Sequence, residues 1–596
     1  MSLNFDEFNS VVKVFEKQSS LHKDKNYLWR KINNQYLPLT WHETREKVES
    51  FSNALKNLGI LEGDRVVIIS ENRPEWQIAD LAIMAIGAIT VPAYTTSTSN
   101  DYEYIIKHSG ARCVIFSNDN LGKKIIPAVL NSSQCKSIIK IENDKSTNNH
   151  PVQIFFWDSL IEENKNSNFQ LSENVNNHKR KDTACIIYTS GTGGNPKGVM
   201  LSHGAMLTNC VGAQEILKSI TFDLEEIRFL SWLPLSHSYE HTLQFFYMGV
   251  GGQIYYAESI DKLVINMGES KPHIMTAVPR FYESLHTRIS QGLKKQGKIS
   301  QFLFSETLRL GKKTYFNEPL SFFEKKFNNL LSKIVRKKVN KRFGGSLRAM
   351  VSGGAALNFE VGLYLSALGL PLLQGYGQTE TAPVVSCNPP NKIKLDTVGT
   401  ILKGTTVKIA EDGEILVKGE NVMNGYWDNP EATASTLKNG WIHTGDIGKL
   451  DEENYLKITD RKKDIIVNAG GDNISPSRIE EKLNIQPEIA QSMIYGDFKN
   501  YLVAIVVSDK EFVKQWAEEN NKEYDINKIN KDEDYIRLIK TIIDKINKNL
   551  SIIEQVRKFI LVDEEFTIEN DMMTPTMKVR RFKVKEKYGN LLEELY

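Results

Sequence analysis

Hydrophobic residues along this chain come mostly in short, closed runs. RVVIIS (65–70), ARCVIF (111–116) and ACIIYT (184–189) are rich in β-branched residues and predict buried strands, while helical-period segments lie between them. Strand–helix alternation of this kind predicts a largely parallel α/β architecture. The longest apolar stretch, LAIMAIGAITVPAY (81–94), is too short to span a bilayer and contains Pro92, so it predicts a buried helix running into a strand. Residues 141–180, rich in Asn, Ser, Lys and Glu, read as a polar connection. From about 395 to 460 the pattern changes to short strands with turn signals, TVKIAEDGEILVKG and then KNGWIHTGDIGKLDEENYLKI, which predicts a small β-rich subdomain. Mixed α and β signals return after 460, and the chain ends in a Lys/Glu-rich helical segment.

One block breaks this rhythm. Over 284–345 Lys and Arg outnumber acidic residues several-fold, and Leu303, Phe304, Phe322, Phe323, Phe327, Leu330, Leu331, Ile334 and Val335 suggest amphipathic helices. Two readings stand: a solvated helical insertion with its apolar face packed on the body, or a membrane-surface face attracted to anionic lipid. Elsewhere charge is balanced. A net +2 over 596 residues gives no electrostatic reason to expect nucleic acid as a partner. The length calls for about two to four domains. The start, MSLNFDEFNSVVKVFEKQSS, has no apolar leader, and Cys113, Cys135, Cys185, Cys210 and Cys387 are scattered without a CxxC. Both features point to a cytoplasmic protein with neither a disulfide framework nor a cysteine metal site.

The stretch richest in chemistry is CIIYTSGTGGNPKGVM (185–200), where an apolar run opens into a loop of Thr, Ser and Gly followed by Lys197. Glycines let backbone N–H groups turn toward an anion, the hydroxyls add donors, and the lysine adds a full charge. The pattern differs from the Walker loop, in which Ser or Thr follows the lysine; here Gly198 does. We read a nucleotide phosphate loop of a different kind. A flexible surface loop is the plainer alternative.

Four later stretches follow in order: SWLPLSHSYEH (231–241), VSGGAAL (351–357), LLQGYGQTE (372–380), and WIHTGDIG (441–448) with ITDRKKDIIVNAGGDNISP (458–476). Singly, each has an ordinary structural explanation: a core tyrosine, a carboxylate near a helix start, a turn aspartate, a surface arginine. Together with the phosphate loop they resemble the adenylate-forming superfamily over roughly residues 25–590. Within it, the LPLSHSYEH form, AVPRFYE (277–283), the basic insertion and the ending MTPTMKVRR (573–581) look most like long-chain fatty acyl-CoA synthetases.

That resemblance implies an α/β protein with a large multi-subdomain N-terminal part, 1–459, of α/β layers plus the β-rich subdomain. A smaller α+β lid, 460–596, would turn about a hinge at 460–465 that includes Lys463. It further implies ATP, Mg2+ and coenzyme A with a long-chain fatty acid as the acyl substrate. A carboxylate is a poor acyl donor, because its leaving group would be oxide or hydroxide. Attack on the α-phosphate of ATP gives acyl-AMP, from which the CoA thiolate can displace AMP. No enzyme nucleophile is needed, and no nucleophile–base pair is evident.

Residue by residue, the resemblance assigns Thr189, Ser190, Gly191, Thr192, Gly194 and Lys197 to the β- and γ-phosphates. Gly354, Ala355 and Ala356 would line the adenine site, with Tyr376 stacked on the base. Thr379 would contact the α-phosphate, and Glu380 with Thr189 would hold Mg2+. Asp446 would accept from the ribose hydroxyls beside Arg461, and Lys578 would reach the α-phosphate and the acyl carboxylate. His237 would sit by the acyl carboxyl, and His241 would take the position of an aromatic gate to the acyl tunnel. Two departures stand out. Gly193 replaces a usual threonine, removing a hydroxyl donor worth about 1 kcal/mol, and the gate residue is a histidine.

Three alternatives share many of these residues: a fatty acyl-AMP ligase loading an acyl carrier protein, a medium-chain or aromatic carboxylate–CoA ligase, and a non-catalytic nucleotide-binding scaffold. Retention of Lys197, Glu380, Asp446, Arg461 and Lys578 argues against the scaffold.

Overall fold

The computed structural model describes residues 3–143, 153–166, 168–189, 196–221, 224–470, 472–574 and 578–596. The three strand-like runs form strands Arg65–Ile69, Cys113–Phe116 and Thr183–Thr189 of one eight-stranded sheet. Arg65–Ile69 lies between Ile89–Pro92 and Cys113–Phe116, parallel to both, because a helix intervenes between each pair of successive strands. The apolar stretch 81–94 behaves as the pattern predicts. Helix Pro74–Ala85 is buried at every position but Glu75, then turns through Gly87 (φ +73°) into the buried strand Ile89–Pro92.

The polar connection needs correction. Within 141–180, Ile154–Phe156 adds the edge strand of this sheet, and helix Trp157–Glu163 buries Trp157, Leu160 and Ile161. Few apolar residues suffice where a sheet edge and a neighbouring helix supply the rest of the surface; Trp157 lies 4.2 Å from the Phe51 ring.

A nine-stranded sheet forms the second layer. Its centre is parallel, through Leu372–Gly377, Ala349–Ser352, Ile274–Ala277, Arg228–Ser231, Gln253–Tyr256 and Asn26–Ile32, with antiparallel strands at both margins. The segments containing His237, Gly354 and Thr379 all leave the carboxyl ends of these strands, where open α/β sheets place their ligands. The β-rich texture of 395–460 becomes an antiparallel five-stranded sheet that includes Glu414–Gly419, Trp441–Leu450 and Leu456–Arg461.

After Arg461 the chain passes into a separate α+β arrangement. Strand Leu502–Ser508 is buried along its whole length. Leu502, Ala504 and Val506 pack on one cluster, and Val503, Ile505 and Val507 on another, as period-two alternation requires of a strand covered on both faces. Helices Glu533–Asn547 and Arg581–Glu593 contribute to these opposite clusters.

The basic block is helical: Pro279–Lys294, Lys298–Tyr315, Phe322–Leu331, a π-turn Ser332–Arg336, and Lys337–Arg342. Helix Lys298–Tyr315 lies tight on helix Phe359–Ala367. A Cβ on Gly311 would fall 2.5 Å from that of Ala367, so a larger residue could not pass there. Among the described residues no helix is long and apolar enough to cross a membrane.

Candidate active site

A cavity of about 2160 Å3 lies between the carboxyl ends of the nine-stranded sheet, the five-stranded sheet and the C-terminal α+β part. Thr189 and Lys197 reach it from paired positions: the strands Thr183–Thr189 and Lys197–Ser202 form an antiparallel pair that sets these two residues opposite each other. Ser190, Gly191, Thr192, Gly193 and Gly194 lie outside the described residues.

Gly354, Ala355 and Ala356 follow strand Ala349–Ser352 and line the cavity with little side chain to fill it. Gly354 has φ +86°, a left-handed conformation that favours glycine. At Gly353 a Cβ would stand 3.1 Å from the Tyr239 ring, so the backbone runs close to helix Ser238–Gly249.

Tyr376 donates its hydroxyl to Asp446 Oδ2 at 2.6 Å, and Arg461 Nε stands 3.5 Å from the other carboxylate oxygen. Asp446 and Arg461 are register partners on neighbouring strands, which places the arginine beside the carboxylate. Burial raises the Asp446 pKa, against the opposing pull of Arg461 and the Tyr376 hydroxyl.

Lys578 enters from the C-terminal part. Its backbone N–H donates to Thr574 Oγ1 at 3.1 Å, and its carbonyl accepts the Thr574 N–H at 2.8 Å. Burial, then the charge of Arg461, lowers its pKa to about 8 against the attraction of Asp446 and Glu380. Lys463 lines the same cavity, just beyond the strand that carries Arg461.

His237 caps helix Ser238–Gly249, its Nδ1 accepting the Tyr239 N–H at 3.1 Å. That leaves Nε2 as the proton-bearing nitrogen of the neutral ring. Burial and the nearby Lys578 charge push its pKa down to about 4, so the ring is neutral at ordinary pH and Nε2, which has no partner among the described residues, is a donor.

Thr379 shares a 3.1 Å hydrogen bond with Ser238, and Glu380 Oε1 accepts from the Tyr426 hydroxyl at 2.8 Å. Neither Ser238 nor Tyr426 was singled out from sequence. Tyr426 lies in the turn-rich NGYWDNP segment, whose short strand Gly425–Tyr426 pairs with Lys197–Ser202, and the Lys197 ammonium stands 5.0 Å from its ring centre. An aromatic amid turn residues is a weak signal, and the sheet pairing is what gives it meaning.

His241 does not line the cavity. Its Nε2 lies 2.9 Å from Asp80 Oδ2, both side chains are fully buried, and its ring meets Trp76 edge-on at 5.1 Å. The gate expected at this position is replaced here by a buried pair between two packed helices. The Asp80 carboxylate is fully buried on helix Pro74–Ala85 and needs a partner, and His241 supplies it.

Residues 15–427 match the AMP-binding enzyme family, and residues 463–596 match the AMP-binding enzyme C-terminal domain. A long-chain-fatty-acid–CoA ligase of Mycobacterium bovis is 31% identical, over 99% of this chain and 97% of that protein. The fold is shared with an anthranilate CoA ligase solved with anthranoyl-AMP (TM-score 0.74, 19% identity, 99% of both chains). It is also shared with the o-succinylbenzoate CoA synthetase of Bacillus subtilis solved with ATP and magnesium (TM-score 0.67, 20% identity, 96% of this chain and 99% of that one).

Proposed function

This chain belongs to the AMP-binding enzyme family, and on that premise we propose that it is an ATP-dependent long-chain fatty acid–CoA ligase. The observation that carries the reading is the meeting, around one cavity, of Lys197, His237, Tyr376, Glu380, Asp446, Arg461 and Lys578 from segments far apart in the chain. The full-length likeness to a long-chain-fatty-acid–CoA ligase supports the substrate class.

In the first step a fatty carboxylate oxygen attacks the α-phosphorus of ATP, the bond to the β-phosphate bridge breaks, and pyrophosphate leaves. Negative charge gathers on the α-phosphate and the departing pyrophosphate. Lys578 and Lys197, with the phosphate loop, are the groups that would meet it, by charge already in place. His237, neutral and with Nε2–H free, would hold the acyl carboxylate by a donated hydrogen bond, aiming its oxygen at phosphorus. Tyr376, Gly354, Ala355 and Ala356 would form the adenine site, Asp446 would take the ribose hydroxyls, and Thr379 would contact the α-phosphate.

Glu380 forms no ion pair among the described residues, and its one carboxylate suits a metal that is held mainly by substrate phosphates. With Thr189 it would hold Mg2+, which when bound supplies charge neutralisation to the phosphates. In the second step the CoA thiolate attacks the acyl carbon and AMP leaves. We place the body at 1–459 and a lid at 460–596, with Lys463 in the hinge, so that Lys578 serves the first step and is withdrawn for the second.

The test is release of AMP and pyrophosphate across fatty acids of graded length, with and without CoA. Acyl-CoA and AMP in equal amounts are expected with long-chain acids. ADP as the stoichiometric product would sink the reading.

A further inference from the structure

We propose that the helical insertion docks this enzyme on an anionic lipid bilayer, through the outward face of the helical run Phe322–Arg342. Exposure marks that face. Phe323 is 81% exposed, Phe322 66%, and Leu330 and Ile334 47% each, while Leu331 is buried and Val335 and Val339 pack on the body. Phe323, Leu330 and Ile334 stand at i, i+7 and i+11, one side of a helix. The sequence alone left open an insertion that hides its apolar residues. Here the helix hides one set and presents another.

Charge selects the occupant. Lys325, Lys326, Lys333, Lys337, Lys338 and Lys341 are exposed and form no ion pair among the described residues. Glu324, the one acidic residue of 322–345, is taken up by Arg309 and Lys313. The Lys326 ammonium stands over the Phe322 ring, 4.5 Å from its centre, which keeps a charge and an exposed aromatic side by side. Apolar side chains among unpaired lysines suit the boundary between acyl chains and anionic headgroups. The same lysines oppose pairing of this face with a second copy of itself, where like charges would meet.

The segment that precedes this run reaches the cavity wall. At the end of the preceding helix, Tyr315 and the next residue, Phe316, meet the Phe359 ring at 6.1 and 6.4 Å, and the Tyr315 hydroxyl accepts the Leu395 N–H at 2.9 Å. Phe359 and Leu395 both line the cavity. Phe322 follows Phe316 by six residues, so docking through Phe322 and Phe323 would hold this stretch of the cavity wall near the lipid, where long-chain fatty acids partition. This last step rests on the ligase reading; the docking does not.

The experiment is co-sedimentation of the full-length protein, without substrates, on phosphatidylglycerol/phosphatidylcholine vesicles and on phosphatidylcholine alone. Binding is expected on the anionic vesicles, weaker on the neutral ones, and falling as salt rises from about 50 to about 500 mM. Phe322→Ser with Phe323→Ser, and separately Lys326→Glu with Lys333→Glu and Lys337→Glu, should each weaken binding by at least about tenfold. Both variants should keep the wild-type melting temperature and elution volume. Wild type that stays in the supernatant at low salt overturns the proposal, as does a Phe pair variant that binds like wild type. A wild-type dimer made monomeric by the Phe pair, without vesicle binding, overturns it in favour of self-association. A companion assay with vesicle-borne fatty acid should show slowed turnover in both variants, and detergent-dispersed acid should not. Because sedimentation needs no turnover, failure of the ligase reading leaves the docking result standing.

Discussion

In the cavity, charged groups face one another: Asp446 takes the Tyr376 hydroxyl and the Arg461 guanidinium, while Lys578 sits among Arg461, Asp446 and Glu380. In the helical insertion, Lys326, Lys333 and Lys337 face water on the same helical run as exposed Phe322 and Phe323. Both regions are rich in cations, yet burial separates them. A lysine in the cavity has its proton affinity set by burial first and then by its neighbours, and is tuned for one position, whereas an exposed lysine acts through the summed field of its patch. Loss of one residue should therefore be severe in the first region and slight in the second.

The largest expected effect is at Lys578. Lys578→Ala should lower acyl-AMP formation by about 10²–10³-fold, the cost of removing one positioned charge-stabilising group. Thioester formation from pre-made acyl-AMP should stay within a few-fold of wild type. Lys463→Pro should show the reverse split, because a fixed φ and a lost N–H at the proposed pivot impede rotation of the lid. Equal loss of both half-reactions in both variants would break the division of labour.

Next in size is the pH profile. The ammonium form of Lys578 is the useful one, and with its pKa lowered to about 8 that form is lost as pH rises through 8. The kcat/KM for adenylation should fall over that range, and Lys578→Arg, which keeps its charge, should remove the fall. His237, lowered to about 4, should add no limb near 6.5. A profile flat to pH 9.5 in wild type would remove Lys578 from the first step.

Tyr426→Phe should be milder. It deletes the hydroxyl that holds Glu380, and about a tenfold fall in adenylation with a higher Mg2+ requirement is expected. An unchanged Mg2+ requirement would show that Tyr426 serves packing alone. The smallest effect belongs to the insertion. Lys326→Glu with Lys333→Glu should change turnover of a soluble acyl substrate by less than about twofold. A larger change would erase the contrast between the two regions.

Local chemistry was legible in the chain itself. The run into the Thr189 loop, the small residues at 353–356 and the turn before Asp446 are contiguous signals, because strand, glycine turn and loop are set by neighbours a few residues apart. The alternation that predicts parallel sheets and the buried helix at 81–94 is legible for the same reason. Tertiary packing decided the rest. Tyr376 and Asp446 are 70 residues apart, Glu380 and Tyr426 are 46, and His241 and Asp80 are 161. His237, at the cavity with a donor nitrogen, and His241, locked in the interior, are only four positions apart, and no local pattern tells them apart. Which side chains meet depends on how sheets and helices stack over long loops. So does the fate of the insertion's apolar residues: helical spacing shows that they share faces, but only the position of the body decides that Leu331 is covered and Phe323 is left at the surface.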